Sequence, residues 1–374
     1  MFTASHYDSK GLADIYQKVQ ENERLSLDDG ERILACDDLL AVGSLAHKVR
    51  TRLHGKRTYY VINQHINYSN ICINGCLFCA FGQRPGSPEG FFLSTEQILA
   101  KIQENLHKPI TEIHIVGGCH PELPLSYFED MLRRIKRLRP NAALKAFTIV
   151  EIAHFAEKEG ISTREVMIRL KRAGLDLIPG GGAEIFSPRV RRIICPRKLC
   201  GERWLEITRE AHELGIKTNA TMLFGHVETP KERLEHLDAL RRLQDETGGF
   251  LCFIPLPFQP KNTRLENVKG PTAVDELKTI AVSRLMLDNI PHIKAYWVML
   301  TLRLAQLALY FGADDIDGTV MEEKIAHMAG AGSLQAVTQV ELERLISEAG
   351  FEPVQRDSFF RILSPIKEHK QASF

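Results

Sequence analysis

Short apolar runs alternate with amphipathic stretches through the middle of this 374-residue chain, and that alternation constrains the fold more than any other feature. Runs with strand character lie at 59–67, 112–116, 144–149, 175–178, 218–223, 250–254, 293–298 and 314–316. Helical patterns at 95–106, 125–138, 163–173, 202–214, 231–247, 273–287 and 301–311 separate most of them. Several open on helix-start signals: in Ser94-Thr95-Glu96-Gln97 the glutamine stands three residues after a serine cap. Eight strands alternating with helices predict an α/β fold, a parallel sheet closed as a TIM-like (β/α)8 barrel. A partly open barrel of about six strands is the alternative, because the fourth and eighth runs are short. Residues 1–57 read as an N-terminal helical extension, 58–317 as the barrel and 318–374 as a helical tail packed on it.

In such barrels chemistry gathers at the C-terminal ends of the strands. The loop after the first strand holds three cysteines in eight residues, Cys72-Ile73-Asn74-Gly75-Cys76-Leu77-Phe78-Cys79. Thiolates this close favour a soft metal, either zinc or an iron–sulfur cluster. Structural zinc normally takes four protein ligands, and no fourth Cys or His lies nearby in this loop. A cubane held by three thiolates leaves one iron open to an outside ligand. A three-ligand catalytic zinc is the competing reading.

The next loops carry Gly117-Gly118-Cys119-His120, then Glu151, then Gly180-Gly181-Gly182-Ala183-Glu184, then Gly225-His226-Val227-Glu228. Glycines at a strand end let backbone approach a ligand closely. The triple glycine lacks the frame of a phosphate-binding loop, so it reads as room for a bulky ligand. Glu184 serves either to bind ribose hydroxyls or to cap a helix. Glu151 has the same two readings, since a carboxylate in a first helical turn is favourable without any ligand. His226 is placed in the pocket as a candidate catalytic residue, while His212 and His236 are read as surface residues. Asp314, Asp315 and Asp317 lack calcium-loop spacing and read as a polar cluster at the barrel mouth.

Hydrophobic residues make up 44% of the chain and its formal net charge is +1, so no basic face for nucleic acid is implied. The eight cysteines scatter irregularly outside the cluster, unlike a disulfide framework. No apolar run approaches a membrane span of about 20 residues, and no secretory signal opens the sequence. A cytoplasmic protein without stable membrane association is expected.

The Cys-x3-Cys-x2-Cys spacing, with Phe78 before the last thiol, resembles the signature of the radical S-adenosylmethionine (SAM) superfamily. Gly117-Gly118 resembles its Gly-Gly-Glu element, although Cys119 stands where the acid is expected. Residues 70–81, 145–148, 179–186, 220–229, 244–250, 294–297 and 312–319 resemble more specifically the aminofutalosine synthase family of menaquinone biosynthesis. Several of these segments are shared with sister families, the dehypoxanthine futalosine cyclases and the hydroxybenzyl-transferring enzymes of deazaflavin synthesis.

The resemblance implies a [4Fe–4S] cluster on Cys72, Cys76 and Cys79, with SAM on the open iron as a consumed co-substrate. It implies addition of the 5′-deoxyadenosyl radical to 3-[(1-carboxyvinyl)oxy]benzoate, giving 6-amino-6-deoxyfutalosine, methionine and bicarbonate. An electron donor such as flavodoxin or ferredoxin is implied too. Phe78, Gly117, Gly118, Glu151, Gly180, Gly181, Gly182 and Glu184 are then the expected SAM contacts. For a substrate with two carboxylates, His65, Asn67, Arg84 and Thr221 are the candidates. Lys145 and Lys294 either face the pocket with an anionic partner or lie on the outer side with their heads in water.

Overall fold

The computed structural model describes residues 2–363. Its strands are β1 (Arg57–Val61), β2 (Asn63–Ile66), β3 (Glu112–Ile115), β4 (Ala143–Ala146), β5 (Leu177–Ile178), β6 (Lys217–Phe224), β7 (Phe250–Pro257), β8 (His292–Ile293), β9 (Asp315–Gly318) and β10 (Glu352–Gln355). Strands β2 to β8 lie side by side in chain order, every pair parallel. The sheet curls until it meets itself. Lys294, beside β8, bridges Asp315, β9 pairs with β1, and β1 runs into β2 with only Ile62 between them. The single strand run expected at 59–67 thus changes partners midway and closes the wall, giving the predicted (β/α)8 barrel.

Most helices lie outside and bury one face, whereas Ala273–Met286 is buried all round from Thr279 to Met286. Helix Leu125–Leu138 shows the pattern: Leu125, Phe128, Met131, Leu132 and Ile135 are buried, at the three- and four-residue spacing of one helical face. The caps come from local chemistry. Ser94 accepts from Gln97 N while Gln97 returns to Ser94 N, and Thr229 with Glu232 repeats the arrangement.

Several elements differ from the sequence reading, among them helix Pro188–Ile194, which that reading lacks. The strand run at 144–149 stops at Ala146, because Thr148 and Glu151 form a capping box that starts helix Ile149–Glu159. The run at 293–298 is a strand only at its start. The Trp297 indole donates to Gly318 O at 2.9 Å, and Trp297–Leu300 is helical. The segment after β9 contains helices Ile325–Met328 and Gln339–Glu348, but also β10, which extends the sheet beyond β1 with Glu352 opposite Arg57. Residues 364–374 of the expected tail lie outside the described residues. Helices Ala4–Ser9, Ala13–Glu21, Leu27–Ala35 and Leu39–His54 precede β1. Among the described residues no helix is long and apolar enough to cross a membrane.

Candidate active site

The cysteine loop is fastened mainly through its backbone. Cys72 N donates to Gln83 O and Leu77 N to Ile194 O, both at 2.8 Å, and Leu77 O accepts from Arg264 N at 2.9 Å. Gly82 N points at the Cys79 sulfur from 3.3 Å. The sulfurs of Cys72, Cys76 and Cys79 do not all lie within 4.8 Å of one another. Thiolates on one tetrahedral zinc, each about 2.3 Å from the ion, stand about 3.8 Å apart. The set is therefore spread wider than one tetrahedral zinc ion requires. Burial pushes Cys76 up to about 12 and also raises Cys79, so these two stay protonated unless a cationic centre replaces the proton. A hydrogen bond from the Cys119 thiol is the main cause holding Cys72 down at about 5.

These thiols open onto a cavity of about 330 Å³ inside the barrel mouth. Its wall includes Phe78, Gly117, Gly118, Glu151, Gly180, Gly181, Gly182, Glu184, His65 and Thr221. Asn67, Arg84 and His226, also expected at the site, are not among the residues lining it. The Asn67 amide is turned aside to donate to Val116 O at 3.1 Å, and Arg84 is exposed on the outer loop. Gly225, at φ +85°, turns the chain so that His226 points behind the loop. There it meets Glu228 at 2.8 Å, and Arg233 reaches the same carboxylate at 2.7 Å. His236, read as a surface residue, is buried and lies 2.9 Å from Thr221 O. His212 is held between Thr247 and Thr218 at 2.7 and 2.9 Å.

The glycines have neighbours that account for them. A Cβ on Gly118 would stand 2.2 Å from Ile71 O, so this residue lets the second loop lie flat on the cysteine loop. A Cβ on Gly180 would meet the Asn219–Ala220 backbone at 2.7 Å. Glu151 caps helix Ile149–Glu159 and also lines the cavity. Its oxygens accept from Tyr68 OH at 2.7 Å, Gly117 N at 3.1 Å and Thr148 N at 2.7 Å. Burial raises it to about 7. Glu184 pairs at 2.5 Å with Lys198, whose ammonium sits 5.3 Å over the Phe78 ring. Phe147, Glu184 and Asp317 adopt φ of 58°, 49° and 67°, three strained non-glycine backbones near strand ends of the mouth.

The two lysines left open by the sequence both face inward. Lys145 and Lys294 are buried, line the cavity and have carboxylate partners: Glu112 at 2.6 Å and Asp317 at 2.5 Å. Lys198, His114 and Asn219 also line it and were not read from sequence. His114 left a signal, a polar residue between Ile113 and Ile115 in an apolar strand. Lys198 lies in an irregular segment and left none. Of the aspartate cluster, Asp317 reaches the cavity, whereas Asp314 sits at the opposite end, fully buried at the start of β9.

Residues 66–240 match the radical SAM superfamily and residues 247–368 the CofH/MqnC C-terminal region. The chain is 49% identical to the aminodeoxyfutalosine synthase of Thermus thermophilus, over 94% of this chain and 95% of that protein. It is 44% identical to the aminodeoxyfutalosine synthase of Streptomyces coelicolor, over 94% and 93%. The crystal structure of methylornithine synthase has the same fold, with a TM-score of 0.74 at 18% identity over 90% of this chain and 96% of that one. Membership carries a [4Fe–4S] cluster and SAM with it, and the three thiols beside the cavity are consistent with both. The chain belongs to the radical SAM superfamily, in the branch that carries the CofH/MqnC C-terminal region and contains the aminodeoxyfutalosine synthases.

Proposed function

We propose that this enzyme joins the 5′-deoxyadenosyl group of SAM to 3-[(1-carboxyvinyl)oxy]benzoate. The products are 6-amino-6-deoxyfutalosine, methionine and bicarbonate. The observation that carries the reading is the 49% identity to the Thermus aminodeoxyfutalosine synthase across 94% of the chain. Cys72, Cys76 and Cys79 are the residues that would hold the [4Fe–4S] cluster, leaving one iron for the amino and carboxylate groups of SAM. When bound, the cluster supplies the electron that cleaves the sulfonium of SAM.

The protein's part is to bind, orient and exclude water. Gly117, Gly118, Gly180, Gly181 and Gly182 give SAM a low wall to lie against, and Phe78 and Glu184 flank it. Glu151 holds Gly117 N in place, which keeps the second loop fixed against the cysteine loop. Asn219 offers a polar group to the substrate from β6, while the Thr221 hydroxyl donates to Gly180 O at 2.7 Å and steadies the glycine loop. His226, locked to Glu228, supports the fifth loop and takes no proton from the substrate. The electron comes from a donor such as flavodoxin or ferredoxin, and the enzyme works in the cytoplasm.

The test is anaerobic turnover of reconstituted protein with SAM, reductant and the enol ether, followed by mass analysis. A covalent aryl-nucleoside with one methionine per product is the expected result. Free 5′-deoxyadenosine alone would favour a hydrogen-abstracting sister enzyme.

A further inference from the structure

We propose that Lys145 and His65 form an anion subsite at the floor of the cavity, which takes the ring carboxylate of the substrate. This rests on the synthase reading, which supplies an aromatic carboxylate as ligand. Pairing across three neighbouring strands sets His65 opposite His114, and His114 opposite Lys145. Side chains at one level of a parallel sheet project to the same side, and all three line the cavity. They stand on the strands, below the loop that carries the thiols. The ring carboxylate is the end of the substrate remote from the vinyl carbon. With that carbon held near the thiols, the carboxylate comes to the floor.

Two features of this layer leave donors open to a ligand, beside the carboxylates of Glu112, Asp317 and Glu323. His65 is 5% exposed, and its Nε2 is buried without a hydrogen-bond partner among the described residues. Its ring is held in place by stacking on His114, with centroids 4.5 Å apart and planes 6° from parallel. Lys145 has three N–H donors, and its one carboxylate partner among the described residues is Glu112. The other oxygen of Glu112 is occupied by Ser358 at 2.8 Å. Lys294 differs, because its ammonium faces two carboxylates, Asp317 at 2.5 Å and Asp315 at 3.8 Å. Of the two buried ammoniums, Lys145 has donors to spare. Burial also lowers its pKa, a cost that a bound carboxylate offsets.

The experiment is equilibrium binding to the reconstituted enzyme with SAM and no reductant. It compares 3-[(1-carboxyvinyl)oxy]benzoate with its ring-carboxamide analogue. Wild type is expected to prefer the carboxylate by about tenfold or more, as for hydrogen bonds to a charged group. Lys145→Met should bring the ratio close to one, Lys145→Arg should restore part of it, and His65→Phe should lower it several-fold. If Lys145→Met fails to fold because Glu112 is left unpaired, Lys145→Met with Glu112→Gln removes both charges and gives the same comparison. A wild-type ratio near one, or a folded Lys145→Met protein with the full preference, overturns the subsite. A wild type that shows the preference but yields no adenosylated product upon reduction overturns the synthase reading and leaves the subsite standing. Failure to bind either ligand overturns both.

Discussion

The two ends of the barrel treat polar groups in opposite ways. At the base, the strand-start end, most are held by partners in the chain, although one Arg356 nitrogen and Arg284 Nε are buried without one among the described residues. His292 Nδ1 lies 2.6 Å from Asp314, whose other oxygen accepts from Ile293 N at 2.8 Å. His54 Nε2 is 2.9 Å from Pro291 O. These three side chains are close enough together to hold a metal ion, yet their hydrogen bonds already account for them. Arg356 reaches Asp315 at 2.5 Å, and Arg50 reaches Arg57 O and Thr58 Oγ1 at 2.6 Å. At the mouth the open groups face the cavity instead: three thiols, a His65 nitrogen without a partner among the described residues, and left-handed non-glycine backbones. The ion pairs of the base hold the barrel's shape, and the groups that face the cavity gather at the mouth, where such barrels bind ligands.

Cysteine substitutions probe that contrast with the largest effect. Replacing Cys72, Cys76 or Cys79 by Ala should abolish SAM cleavage and the iron-dependent visible absorbance. Cys252→Ala should keep both, since Cys252 is buried in β7 away from the cavity lining. Full cleavage in any of the first three variants would break the comparison.

A charge at the base should do the reverse. Arg356→Met leaves Asp315 buried with only the more distant Lys294 in support, a loss of about 3–5 kcal/mol. Denaturant unfolding should show that loss, while the folded fraction still accepts iron and SAM. A stable variant that cannot build the cluster would mean the two ends are coupled.

The legible parts were those written in local pattern. Alternation exposed the barrel, and three thiols in eight residues exposed the metal loop. Helix Ile149–Glu159 was hidden because Ile149 prolongs an apolar strand run, and the capping box that separates them lies inside it. Strand β10 reads Glu-Pro-Val-Gln with only Val354 buried, too short to carry a pattern. The orientation of Lys145 depended on Glu112, more than thirty residues earlier on the neighbouring strand. His226 looked like a pocket residue because nothing local says that Glu228 and Arg233 draw it away.

Glu151 belongs to the mouth by position and to the frame by its bonds, so pH tests which description governs. Its pKa is raised from 4.5 to about 7, chiefly by desolvation. The folded state therefore holds this proton more tightly than the unfolded chain. The stabilising contribution is complete below 4.5 and is lost as pH rises through about 7. At about 1.4 kcal/mol per pH unit the span is at most about 3 kcal/mol. Glu151→Gln should flatten the stability curve across that window in urea titrations. An unchanged slope would mean that the three donors around the carboxylate keep it ionised throughout.

The smallest effect separates glycines the chain needs from glycines a ligand needs. Gly118→Ala would drive Cβ into Ile71 O, a backbone atom of the cysteine loop. It should cost about 1–3 kcal/mol and lower iron content together with stability. Gly181 has no positive φ, and a Cβ there would meet chiefly a methyl of Thr148 at 2.9 Å. The strain of moving that methyl is opposed by the reduced freedom of the unfolded chain, so Gly181→Ala should change stability by about 1 kcal/mol or less. If the cavity wall at Gly181 borders bound SAM, the same methyl should weaken SAM binding several-fold and leave the cluster spectrum unchanged. Melting temperature and SAM affinity measured on this one variant decide the matter. A fall in stability with unchanged affinity of the folded fraction would place Gly181 with Gly118, among the residues the loops require for their own packing.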